Sequence, residues 1–417
     1  MPVAGLSPET RKTLVLALAC ISILAMTAFL WTHRTSSHLR TDVALAACFV
    51  GAQESTATAR CLEKTLEHLL NALDVPKVLA AIAATSSPAI VQDQCHPIGH
   101  IIGEMAYKKY GSVEEALSKC TSTCRSACTH GVIGAGVLAQ LGEQYSEEDV
   151  AHALAGGIET IGKKYCDAGT PLCHGMGHVA YIATDRNDER ARAICDAIAE
   201  KPIAREVCYQ GLFMERAGTF INLLFPSATG TRPQIRSGDY AYPCTLEPQR
   251  SRHACFLFLN AYQEPLFTLD GLETPQQKLD AARALCESLA ARDRADCFEG
   301  IGTSAALFGF REVSNGTIQE LCESLSTLKD RSACVLGILP QFFYQDLRGL
   351  FEYCADISEE PRKQLCFDAS FLFLSNGRLE AGMPAACATN AACLDQYNRY
   401  LRDRSKKPDY RFGLYGA

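Results

Sequence analysis

Several residue types and motifs are scarce in this chain. It has one tryptophan, six methionines and ten histidines in 417 residues. Basic groups are outnumbered by acidic ones, giving a formal net charge of −7. No Lys/Arg stripe exists to displace counterions, so nucleic-acid binding is excluded as a class. There is no phosphate-binding glycine loop, no serine-elbow motif and no dinucleotide fingerprint, which leaves those chemistries without an anchor. The absence of Cys-x-x-Cys-His excludes covalent c-type haem. Alternating strand patterns are scarce, which points to an all-α fold. Apolar residues make up 47% and charged residues 21%, ordinary values for folded protein.

The N-terminus has its own signature. Residues 13–31 form an uncharged, mostly apolar run of 19 residues preceded by Arg11 and Lys12, about the length needed to cross ~30 Å of hydrocarbon. The expectation is a cytoplasmic segment 1–12, a signal-anchor transmembrane helix 13–31 and a polar stalk 32–42. The protein would then be single-pass, with its bulk in a periplasm, lumen or extracellular space and the membrane as its first partner. Cysteine usage agrees with an oxidising compartment: setting aside Cys20 within the apolar run leaves 20 of the 21 cysteines, an even number suited to pairing.

Those 20 cysteines define a repeat. Cys48 and Cys61, Cys195 and Cys208, Cys244 and Cys255, Cys286 and Cys297, Cys322 and Cys334, and Cys354 and Cys366 are each 11 to 13 residues apart. Cys166 with Cys173 and Cys387 with Cys393 are tighter versions. Register with the other repeats pairs Cys120 with Cys128 and leaves Cys124 for Cys95, although Cys120-x3-Cys124-x3-Cys128 also resembles a soft-metal stripe. An arginine stands three residues before the second cysteine at Arg125, Arg205, Arg252, Arg294 and Arg331, and a glycine follows three residues after Cys128, Cys208, Cys297 and Cys334. Successive second cysteines are separated by 27 to 47 residues, a period that fits a two-helix unit. The reading is an array of disulfide-stapled helical hairpins, solenoid- or toroid-like. Helix A ends near the first cysteine of each pair and helix B starts near the second. The array divides into N-terminal repeats 43–225, a Pro/Gly-rich loop 226–243, C-terminal repeats 244–400 and a basic, aromatic tail 401–417.

Five of the ten histidines fall in three consecutive repeats. Cys95-His96-Pro-Ile-Gly-His100 and Cys173-His174-Gly-Met-Gly-His178 are two copies of Cys-His-x-x-Gly-His, with Cys128-Thr-His130-Gly between them. Each pair is four residues apart and so shares a helical face, and Glu104 extends the first face by a turn as a candidate ligand or acid/base. Later repeats place Gln210, Glu299 and Leu336 where His130 stands, so stacking itself does not require histidine there. Stacked helices lie ~8–10 Å apart, close enough for imidazoles to converge on one ion at ~2.0–2.1 Å. The candidate ligands are His96, His100, His130, His174 and His178, holding copper in preference to iron or zinc, with haem b held by two imidazoles as a further option. Two functions follow as expectations. One is a membrane-anchored oxidoreductase acting on a peptide or small molecule in the repeat groove. The other is a non-catalytic binding scaffold or a metal storage or delivery protein.

Overall fold

A computed structural model of the chain describes residues 43–49, 55–84, 91, 94–121, 123–124, 126–144, 150–168, 170–184, 186–217, 240–307, 315–343, 347–376, 387 and 390–403. Besides a helical stretch at 43–47, these residues form seventeen α-helices, one short 3₁₀ turn and no strand. In chain order the helices are α1 (Ser55–Ala72), α2 (Val75–Ile82), α3 (Cys95–Tyr110), α4 (Val113–Leu117), α5 (Ala127–Gln144), α6 (Val150–Ala168), α7 (Thr170–Ala183), α8 (Asp188–Ile198) and α9 (Pro202–Arg216). The 3₁₀ turn Cys244–Leu246 precedes α10 (Gln249–Leu269), α11 (Pro275–Ser288), α12 (Ala291–Leu307), α13 (Asn315–Ser324), α14 (Leu328–Phe343), α15 (Leu347–Asp356), α16 (Glu360–Asn376) and α17 (Ala391–Asp403).

The helices sort into two layers. One row, α3, α5, α7, α9, α10, α12, α14 and α16, consists of the B helices, each packed on the next in chain order. The A helices α4, α6, α8, α11, α13 and α15 pack against this row.

Ten disulfides tie the layers together, with Cα–Cα distances of 4.2 to 5.6 Å. Cys48 is bonded to Cys61, Cys195 to Cys208 and Cys244 to Cys255. Cys286 is bonded to Cys297, Cys322 to Cys334 and Cys354 to Cys366. Shorter loops are closed by Cys120 with Cys128, Cys166 with Cys173 and Cys387 with Cys393. Most of these bonds join the end of an A helix to the first turns of the following B helix. The bond from Cys95 to Cys124 instead ties the start of α3 to the turn before α5. Each loop with a separation of 11 to 13 residues restricts the unfolded chain by roughly 2–3 kcal/mol.

The recurring arginine is a clamp within and between repeats. Arg205 donates to the Ala199 carbonyl at 3.2 Å, Arg252 to the Glu247 carbonyl at 2.8 Å and Arg331 to the Leu325 carbonyl at 2.7 Å. Each of these carbonyls lies in the A-to-B connection, where helix ends leave acceptors unsatisfied. The same residue type reaches forward to the next repeat: Arg252 to Asp293 at 3.5 Å, Arg294 to Asp330 at 3.0 Å and Arg331 to Glu359 at 2.7 Å. Asp293 and Asp330 sit in the first turns of α12 and α14, where the helix dipole also favours a negative charge.

The recurring glycine sets how closely the B row packs. A Cβ on Gly131 would lie 2.0 Å from the His100 carbonyl oxygen, and one on Gly103 would lie 2.1 Å from that of Cys128. Helices α3 and α5 therefore touch backbone to backbone. The same contact recurs between α7 and α9, where a Cβ on Gly211 would meet the His174 carbonyl at 2.0 Å, and between α12 and α14, where one on Gly337 would meet the Glu299 carbonyl at 2.0 Å.

The membrane-anchored architecture requires correction. Among the described residues no helix is long and apolar enough to cross a membrane. The longest, α10, has 21 residues but includes Arg250, Arg252 and Glu264, and its apolar face is committed to its neighbours in the row. The apolar run 13–31 lies outside the described residues, as do the stalk 32–42 and residues 404–417 of the tail. Among the described residues the signal-anchor helix, the membrane as a partner and the extracytoplasmic single-pass placement have no helix to rest on. The described protein is a stapled helical-repeat array.

Two substitutions separate crowding from helix propensity. Gly131→Ala should lower unfolding stability by about 1–3 kcal/mol because backbone atoms must part. Gly134→Ala, on the same helix with nothing within 4 Å of its added Cβ, should be neutral or raise stability by up to about 1 kcal/mol. Denaturant unfolding of the two variants side by side measures this, and equal effects would contradict the close-approach account.

Candidate metal centre

Helices α3, α5 and α7 bring five imidazoles together. His96 and His100 come from α3, His130 from α5, and His174 and His178 from α7. All five are buried, at 0 to 7% exposure. Their ring centroids lie 4.9 Å apart for His96 and His100, 5.3 Å for His100 and His130, 4.7 Å for His130 and His174, 5.0 Å for His174 and His178, and 5.2 Å for His100 and His178. Two triads each offer ring nitrogens that lie within 4.8 Å of one another. The first is His96, His100 and His130; the second is His130, His174 and His178. Both triads can coordinate a metal ion.

The sequence motif and the packing register differ by one helical turn. The His100 carbonyl lies over Gly131 and the His174 carbonyl over Gly211. The structural equivalent of His174 is thus His100, although the motif aligns it with His96. The first pair consequently sits a turn earlier in its helix than the second, and His130 lies between the two.

The surrounding groups orient the rings. His96 Nδ1 lies 2.8 Å from the Cys124 carbonyl, an acceptor only, so Nδ1 carries the proton and Nε2 the lone pair. That Nε2 in turn lies 3.2 Å from His100 Nε2. His178 Nδ1 lies 2.8 Å from Glu215 Oε2, and Glu215 is 1% exposed. A carboxylate or carbonyl behind an imidazole is the arrangement that fixes tautomer and raises ligand basicity at metal sites. His130 differs. Neither of its nitrogens has a hydrogen-bond partner among the described residues, a state that costs ~1–3 kcal/mol per buried polar group unless a ligand satisfies it.

Burial, followed by the neighbouring imidazoles, holds His100, His130 and His174 well below the ordinary histidine value. They are neutral at pH 7 and present lone pairs to a common space. Such a group of neutral donors in low dielectric suits a cation.

The remaining candidates lie elsewhere. Glu104 is ion-paired with Lys108 on the same helix and belongs to neither triad. Cys120, Cys124 and Cys128 are consumed in disulfides, so no thiolate stripe exists. Haem would have to separate rings that already lie 4.7 to 5.7 Å apart. Pro97 is accommodated in the first turn of α3, where a missing N–H costs nothing.

Sequence reasoning passed over two features. Glu215 is the buried partner of His178. His253 is sandwiched between Glu206 Oε1 at 2.7 Å and Glu299 Oε2 at 3.1 Å. Burial opposes its charge, but the two carboxylates outweigh that and hold its pKa well above the ordinary value. Nearby Asp296 is pushed up to about 6, mainly by burial. One signal was available: Glu206 and His253 both stand two residues before their repeat's second cysteine.

Fold and site together define a disulfide-stapled helical-repeat protein with an imidazole-lined centre. Comparison with protein-family models, curated proteins and solved structures finds no match.

The depressed imidazoles give the metal-free protein a pH dependence of known sign. Folded, they bind fewer protons than the unfolded chain does below pH 6.5. Stability therefore rises with pH through that window and is lost as pH falls, at about 1.4 kcal/mol per group per pH unit. Denaturant unfolding between pH 5.5 and 7.5 should show His130→Gln gaining about 1.4 kcal/mol less than the parent in total across that range. Identical slopes for variant and parent would mean that His130 is not held neutral.

Proposed function

We propose that this is a non-catalytic helical-repeat protein that binds and holds a transition metal, for storage or delivery, in the imidazole cluster of α3, α5 and α7. The observation that carries the reading is His130, a fully enclosed imidazole with both nitrogens unsatisfied among the described residues and four further imidazoles around it. The catalytic alternative, a membrane-anchored oxidoreductase, is set aside. A catalytic metal keeps a position open to substrate, whereas these five side chains are at most 7% exposed.

Copper is the favoured ion. Imidazole suits copper, zinc, iron and nickel, and among divalent first-row metals copper binds nitrogen sites most tightly. With the cysteines oxidised and no carboxylate in either triad, the donor set is nitrogen alone, which disfavours the hard ions magnesium, calcium and manganese.

Elemental analysis of protein purified without added chelator, then stripped with EDTA and reloaded with copper(II), tests the reading. At least one copper per chain should return and should raise the thermal midpoint by mass action on the folded state. His174→Ala should weaken uptake by at least about tenfold, as loss of a positioned ligand does. A folded protein that takes up no copper, zinc or iron would leave the histidines a structural polar network and end the proposal.

A further inference from the structure

We propose that the cluster holds two metal ions, bridged by the His130 ring as an imidazolate. One ion is bound by His96, His100 and one nitrogen of His130. The other is bound by His174, His178 and the opposite nitrogen of His130. This inference rests on the metal-binding reading above and goes beyond it in nuclearity and in the role of one residue.

Three observations carry it. First, the five histidines resolve into two triads whose single common member is His130. Second, His130, the shared ring, differs from His96 and His178 in having no outer partner on either nitrogen among the described residues. His96 and His178 each commit Nδ1 to an outer partner, the Cys124 carbonyl and Glu215. Those rings each have one nitrogen to give a metal. His130 has two buried nitrogens, neither with a hydrogen-bond partner among the described residues. Third, the spacing within each triad suits one ion. Rings bound at ~2.0–2.1 Å around one tetrahedral ion have centroids about 5 Å apart. Within the first triad they are 4.9, 5.3 and 5.7 Å apart, and within the second 4.7, 5.0 and 5.7 Å.

The nitrogens of an imidazole point from opposite edges of the ring, so two ions bridged by it stand about 6 Å apart. Helix α5 lies between α3 and α7 in the B row, the position a shared ligand needs. On loading, one N–H bond of His130 breaks, two metal–nitrogen bonds form at that ring, and the proton leaves to solvent. No electron is transferred. The competing arrangement is one ion drawn into the middle by four or five imidazoles, with His100 and His178, 5.2 Å apart, as its facing ligands.

Copper(II) loading of the full chain separates the two arrangements. After desalting, elemental analysis should give two coppers per chain. Low-temperature electron paramagnetic resonance should show a spin count far below the copper count, because imidazolate couples the two unpaired electrons. His130→Ala should restore one spin for every copper it retains, and added imidazole should lower the count again by filling the vacated position. Circular dichroism establishes that the variant folds, and the wild-type spin count stands without it. One copper per chain, or two coppers with a full spin count in the wild type, would overturn the bridge while leaving metal binding intact. No copper at all would overturn the metal-binding reading itself.

Discussion

The constraint on which this protein depends is the backbone contact between successive B helices, a glycine lying under a facing carbonyl. A side chain as small as a methyl group at Gly131 or Gly211 would meet a carbonyl oxygen at 2.0 Å, far inside van der Waals contact. The missing side chain brings two helix axes closer than ordinary ridge-into-groove packing allows. That approach fixes the height of each B helix against the next. The His100 carbonyl is itself one of these contact points, so the helix carrying the first histidine pair is registered against α5 at the residue that supplies a ring to the cluster.

The staples and clamps preserve this register. Disulfides hold A helices to their B helices, and Arg252 and Arg331 each satisfy a carbonyl of the connection while pairing with an acid of the following repeat. Each exposed ion pair contributes little by itself, but these are largely shielded: Arg294 and Asp330, for instance, have side chains 27% and 2% exposed. Repeats whose individual cores are small thereby act as one body, since each interface is tied covalently and electrostatically to the next.

The buried polar groups change character along the row. In α3, α5 and α7 they are imidazoles, of which His100, His130 and His174 are held neutral by burial and by the neighbouring rings. From α9 onward they are charged: His253 between Glu206 and Glu299, and Arg216 with Asp188 at 2.7 Å and Glu247 at 3.4 Å. The second group is internally compensated, each charge having its opposite within reach, so it needs nothing further to be stable in low dielectric. The first group has lone pairs without protons to meet them. Glu215 on α9 joins the two regions through His178. A cation in the first region would complete the same balance that the carboxylates and arginines achieve in the second.

Much of this was readable from residue order. Cysteine spacing reveals hairpins because a disulfide needs Cα atoms about 5.5–6 Å apart, and only helix ends joined by a short connection supply that at a steady spacing such as those of Cys244 with Cys255 and Cys354 with Cys366. The concentration of histidine in three consecutive repeats singles out α3, α5 and α7. Local reasoning failed where long-range packing decides the outcome. It aligned His96 with His174, whereas the glycine contacts place His100 opposite that position. It extended the first face to Glu104, which turns outward to Lys108. The roles of Glu215 and His253 were not legible locally, because the partners of each lie 37 to 47 residues away in the chain. The membrane anchor was inferred from a run of apolar residues, and no helix among the described residues has that character.

The sequence alone therefore determined the all-α repeat, its covalent staples and which three repeats carry imidazole. These depend on spacings of a few residues, where chain geometry leaves few alternatives. Only the tertiary structure decided which ring faces which, that His130 stands between two triads, and that Glu215 rather than Glu104 supports the cluster. Those outcomes depend on the register between stacked helices, and that register is set by backbone contacts between residues about 30 positions apart.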